Sequence, residues 1–250
     1  MHDGVNKCKI FKDIARDIML NLSEEQLAVL QAAVNKMMNE EANKSVSEFD
    51  QTLDVAVSKL VAEGWTLPAE LPIAAINALG KTSELDDINS FMTDFYSFDN
   101  YRNMKAMIKG IQESQIKPGL VKMISECWQA FESKLYAVCA TSLLSVIEGV
   151  LSEFSDDKKD VKMMKVCQKH VDTFPKDGST ILKHVWISYN QFIRNLYQPS
   201  DFNDTEPLDI NRHWLLHGRS DFEIEELECI RLFNAVHSLC MVINKEANES

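Results

Sequence analysis

The 250-residue chain is 45% hydrophobic, enough to bury a core of its own, so its stability does not call for a metal or a disulfide. Only eight Gly and six Pro interrupt a chain rich in residues that lose little entropy in helices, which favours helix over sheet. A net charge of −12 excludes indiscriminate attachment to duplex nucleic acid, which is driven by counterion release, and confines any nucleic-acid site to a local patch.

In chain order, Ile10, Phe11, Ile14 and Ile18 share one helical face. Ser23 to Gln26 has the form of a capping box opening a second helix through Leu27, Leu30, Val34 and Met37 or Met38. A third carries Leu53, Val57, Leu60 and Val61 and stops at Gly64, whereas Pro68 to Leu85 is weakly patterned. Ile88, Phe91, Met92 and Phe95 predict another helix. After a Ser-Phe-Asp-Asn break at 97–100 the period resumes with Met104, Met107, Ile108 and Ile111, a packing stripe rather than a cofactor contact.

The break Lys117-Pro118-Gly119 is the best boundary between an N-terminal helical region, 1–117, of unknown role and a C-terminal helical bundle, 118–250. Beyond it, a helix with Leu120, Ile124, Trp128, Phe131 and Leu135 is expected to run into the apolar block ending at Glu148-Gly149. A hinge at Ser155-Asp156-Asp157 leads to a Lys-rich helix ending near His170, and Ile181 to Leu196 forms the next helix. A loop from Gln198 to Asp204 precedes a short helix near Leu208 to Leu216, ended by Gly218. A long helix opened by the capping box Ser220 to Glu223 follows.

Six scattered cysteines (Cys8, Cys127, Cys139, Cys167, Cys229, Cys240) without a Cys-x-x-Cys pair suit a reducing compartment. Residues 1–20 show no secretory signal, so a cytoplasmic location is expected. The apolar stretch Leu135 to Leu151 is shorter than the roughly 20 residues of a bilayer span and contains Glu148, so a buried helix and no membrane partner are expected.

The chemistry concentrates in Asp209-Ile-Asn-Arg212-His213-Trp-Leu-Leu-His217-Gly218-Arg219, two Arg, two His and one Asn within eleven residues. Pro207 and Asp209 suit a helix start, which would place Arg212 in an early turn where free N–H groups and the helix dipole favour an anion such as phosphate. Five residues separate Arg212 from His217, roughly 140° around a regular helix. Two copies facing each other across a two-fold axis would bring Arg and His into one cleft, hence the expectation of a homodimeric site.

The form Asn211-Arg212-His213, three residues, His217-Gly218 resembles the Arg, polar residue, three residues, His signature of the HEPN superfamily, particularly its abortive-infection members. Leu143 to Gly149 is similar to an Ile-Glu-Gly helix upstream in such proteins, and the helix over 221–239 has the matching position. The resemblance covers residues 120–245, and 1–115 carry nothing comparable. It implies a metal-independent, usually dimeric endoribonuclease of a phage-defence or toxin type, with no cofactor. Under it His217 is general base or acid and Arg212 a phosphate clamp, while Asn211, His213 and Glu148 are supporting residues. A structural pair of Glu148 with an Arg is an equal alternative.

Arg219 and the series Lys158, Lys162, Lys165 and Lys169 are candidate RNA contacts, although a solvated helical face is the favoured reading of the lysines. His213 and His217, four apart, suit metal ligation by spacing, but no third ligand has a motif spacing and no metal is expected. RNA and a second copy are the expected partners, with an antitoxin or regulatory protein as a further one. The alternative to an enzyme is a non-catalytic helical interaction module.

Overall fold

The computed structural model describes residues 36, 47–68, 71–81, 87–175, 179–199, 201–203 and 205–249. The helices expected around Ile10 to Ile18 and Leu27 to Met38 lie outside these residues, apart from Lys36, which is helical. The chain divides into two compact units, Met1–Asp50 and Gln51–Ser250, and the second holds the 211–219 segment. Among the described residues the fold is all-α and contains no strand.

The helices are α1 (51–62), α2 (Ile73–Lys81), α3 (Ile88–Gln112), α4 (Pro118–Glu132), α5 (Tyr136–Leu151), α6 (Met163–Asp172), α7 (Thr180–Leu196), α8 (Arg212–Leu216) and α9 (Glu226–Glu249). α5 packs against α4 and α9, α9 also covers α3, and α6 pairs with α7. The 117–119 break turns the chain from α3 into α4 inside this unit, with Pro118 in the first turn, where its missing N–H costs nothing. α1 ends at Gly64 as its pattern predicts, and the buried segment after it is tied down by hydroxyls and an amide. Leu67 N–H donates to Ser188 Oγ at 3.0 Å, Ser238 Oγ donates to Leu67 O at 2.9 Å, and Asn234 Nδ2 donates to Thr66 O at 3.0 Å. These bonds satisfy backbone groups that burial would otherwise leave unpaired.

Several elements differ from the sequence reading. The weakly patterned stretch after Pro68 contains α2, whose Ile76 and Leu79 are buried. The helix expected to run from Leu120 into the apolar block is two helices, split where Lys134 takes a left-handed φ of 59°. The 97–100 break is present as a sharp kink in α3, where Asp99, Asn100 and Tyr101 are all left-handed. The final helix starts at Glu226, not at the Ser220 box, because Ser220 Oγ and the Asp221 N–H instead bind the Glu206 carboxylate.

Together with a 3-10 turn, Tyr136–Phe154 is 19 residues with a mean hydropathy of 1.5, by length and composition enough to cross a membrane. In this fold α5 is central and buries Cys139, Leu143, Leu144, Val146, Ile147 and Val150. Gly149 lets α4 approach: a Cβ there would lie 2.8 Å from the Leu120 side chain.

Candidate functional site

α8 is one helical turn closed at both ends. Asn211, 4% exposed, is its N-cap: Oδ1 accepts from the N–H groups of His213 at 2.9 Å and Trp214 at 3.3 Å. The helix therefore begins five residues after Pro207. Two of the amide groups that a bare helix start would offer to an anion are thus taken by the Asn211 side chain. Asn211 Nδ2 also donates to Gln198 O at 2.9 Å, pinning α8 to the chain leaving α7.

At the other end His217 is the C-cap and Gly218 takes φ +62°. Gly218 N–H donates to Leu215 O at 3.1 Å and Arg219 N–H to Trp214 O at 3.0 Å, the paired bonds of a Schellman ending. The Arg-to-His spacing is thus the length of one doubly capped turn, with Trp214 buried beneath it.

Glu148 from α5 meets this turn. Its Oε1 accepts from Arg212 Nε at 2.8 Å and from the Tyr197 hydroxyl at 2.6 Å, and the guanidinium carbon lies 5.7 Å from the Tyr197 ring centroid. Partial burial pushes the Arg212 pKa down, but the hydrogen bond and charge of Glu148, with Tyr197, more than offset it and hold it above the ordinary arginine value. Burial, then the Glu148 hydrogen bond, pushes the Tyr197 phenol up, so it stays a donor. A guanidinium has five N–H donors and Glu148 takes the one on Nε, so the fork keeps donors for a phosphate.

Arg212 and His217 share no hydrogen bond or ring contact within one copy. His217, exposed, instead sets its ring edge-on to His213 with centroids 4.6 Å apart and to Phe202 at 5.6 Å. His213 stacks on Phe202, centroids 4.5 Å apart and planes within 9°, and the Arg219 guanidinium carbon lies 4.2 Å from the same Phe202 centroid. His213 and Arg212 both line an open recess completed by Tyr197, Gln198 and Pro199. Among the described residues, no group of three or more His, Cys, Asp or Glu side chains gathers in the manner of a metal site.

Tyr197, Gln198 and Phe202 escaped the sequence reading, since they lie at a helix end and in a loop, where no period marks them. The lysine series is corrected. Lys158 and Lys162 precede α6, and only Lys165 and Lys169 are on it. Lys158 donates to the carbonyls of Ser152 and Glu153, while Lys162 pairs with Asp160 and Lys169 with Asp156, which offset the latter two charges locally.

The assembled groups are a fixed arginine, two adjacent imidazoles and a stacked aromatic ring on an accessible surface. They suit binding of a phosphodiester and transfer of a proton beside it. No protein-family model, curated protein or solved structure matches the chain.

Proposed function

We propose that this protein is a metal-independent endoribonuclease of the defence or toxin type that the HEPN resemblance implies, cytoplasmic and acting as a homodimer. The observation carrying this reading is the single capped turn that holds Arg212 against Glu148 and exposes His217 five residues on. Arg212 clamps the scissile phosphate as charge builds on its oxygens. One His217 takes the proton from the RNA 2′-OH, the 2′-oxygen forms a bond to phosphorus, and the bond to the 5′-oxygen breaks. The second copy's histidine returns a proton to that leaving oxygen. Two copies are needed because Arg212 and His217 turn to different neighbours within one.

A non-catalytic module, binding a partner such as an antitoxin, is the second reading. It is favoured by the Arg212–Glu148 bond, which serves a structural pair equally well. Incubation of labelled tRNA and single-stranded RNA with the full chain in EDTA separates the two. The nuclease reading expects cutting that falls about 10²-fold or more in folded Arg212→Ala and His217→Ala variants. No cutting by a wild-type dimer would leave the interaction module.

A further inference from the structure

The recess beside Arg212 has a wall that a phosphate clamp does not require. Phe202 packs against two further planar groups: the Arg219 guanidinium carbon is 4.2 Å from its centroid, and the His213 ring is parallel to it at 4.5 Å. His213, held by Phe202 in this way, lines the recess with Tyr197, Gln198, Pro199 and Arg212. His217 meets His213 edge to face and stiffens it from the side.

We propose that the recess takes one unpaired nucleobase of an RNA strand, stacked against His213, with its phosphate on Arg212. Planar π faces stack on every base without regard to sequence. A base inside a duplex cannot present its face, so the site selects single strands, loops or bulges. Stacking also answers a constraint set by composition. With a net charge of −12, and with Lys162 and Lys169 paired to carboxylates, general attraction to phosphate contributes little here. Gln198, exposed at the rim, carries both a donor and an acceptor that suit the edge of the seated base. Phe202 acts through His213 and is a positioning residue.

The inference rests on the ribonuclease reading for the identity of the strand, so its test removes cleavage. A fluorescent 2′-O-methyl RNA octamer lacks the attacking hydroxyl, and its anisotropy with the full chain reads binding alone. Phe202→Leu is expected to weaken binding about tenfold, Phe202→Tyr to hold it within about twofold, and an abasic octamer to bind about as weakly to wild type as the intact strand binds to Phe202→Leu. For a readout that needs no variant, 2-aminopurine is placed at each position in turn, and wild-type protein should quench it at one or more positions.

Equal binding of abasic and intact strands, unchanged binding by folded Phe202→Leu, or no quenching at any position would overturn the base site. So would an absence of octamer binding or a preference for duplex. The base site stands, and the nuclease reading falls, if the octamer binds as described while unmodified RNA is never cut. The reverse holds if cutting by Phe202→Leu keeps the wild-type kcat/KM.

Discussion

Tyr197 and Arg212 share a single oxygen: Glu148 Oε1 accepts from the phenol at 2.6 Å and from the guanidinium Nε at 2.8 Å. The carboxylate therefore sets both the direction of the arginine and the position of the ring beside it. Glu148→Gln keeps the shape and an acceptor oxygen but loses the charge. Cleavage should fall by up to about 10²-fold, the cost of a loosened phosphate clamp, while the thermal midpoint falls little. Tyr197→Phe removes one hydrogen bond, about 1 kcal/mol, and leaves the ring, so its activity should stay within a few-fold. A Glu148→Gln variant as active as wild type in RNA cleavage would count against the clamp.

Asn211 does two jobs with one amide. Asn211→Ala loses the cap of α8 and the tie to the Gln198 carbonyl, for an expected loss of about 1–2 kcal/mol in chemical denaturation. Asn211→Asp keeps the cap and loses only the donor to Gln198, and should fall between the two. Hydrogen exchange at the His213 and Trp214 amides reports the cap directly, and it should speed up in the alanine variant alone.

Lys134 adopts a left-handed backbone between α4 and α5 without being glycine. A side chain costs roughly 1–2 kcal/mol there, against about 0.5–1 kcal/mol of extra chain entropy lost by a glycine. Lys134→Gly should therefore melt at or slightly above the wild-type temperature, and Lys134→Val clearly below it. A lower melting temperature for the glycine variant would show that the lysine side chain makes a compensating contact.

Tyr101 donates to Glu226 Oε1 at 2.9 Å, and its phenol is pushed up to about 12, first by burial and then by that hydrogen bond and charge. A raised folded pKa means the native state holds its proton when the unfolded chain has released it. The associated stability is complete below about pH 10 and disappears as pH rises from there to about 12. Denaturation series across this window should show wild type losing stability more steeply than Tyr101→Phe. At neutral pH the variant should be less stable by about 1 kcal/mol. Parallel pH profiles would remove the assignment.

Where backbone chemistry restricts the choice, the elements were legible before any coordinates. Pro118 opens α4, Gly64 and Gly218 follow helix ends, and Asp99-Asn100, short polar residues tolerant of the left-handed region, mark the kink in α3. Reading failed where two local signals competed. Pro207 and Asp209 look like a helix start, but Asn211 owns the first free amides. Ser220 looks like a cap, but Glu206 holds its hydroxyl. α2, with the sequence IAAINALGK, lacks a charged face and so shows no clear period.

The same distinction governs the site. Arg212, His217 and Glu148 belong to local motifs, which is why the sequence singles them out. Tyr197 and Phe202 act only through contacts across the fold, with a residue 49 positions away and one 11 positions away respectively, and no spacing in the chain encodes either.

The order of the helices along the chain gives α9 a role in timing. α3 and α5 both lean on it, yet it is translated after every other described helix and after the whole 211–219 segment. At roughly 5–20 residues per second a ribosome makes the Arg212–His217 turn one or more seconds before it finishes the helix that packs on α3 and α5. A chain broken off in that interval would carry Arg212 and His217 on an unfinished bundle, lacking the helix against which α5 and its Glu148 are packed.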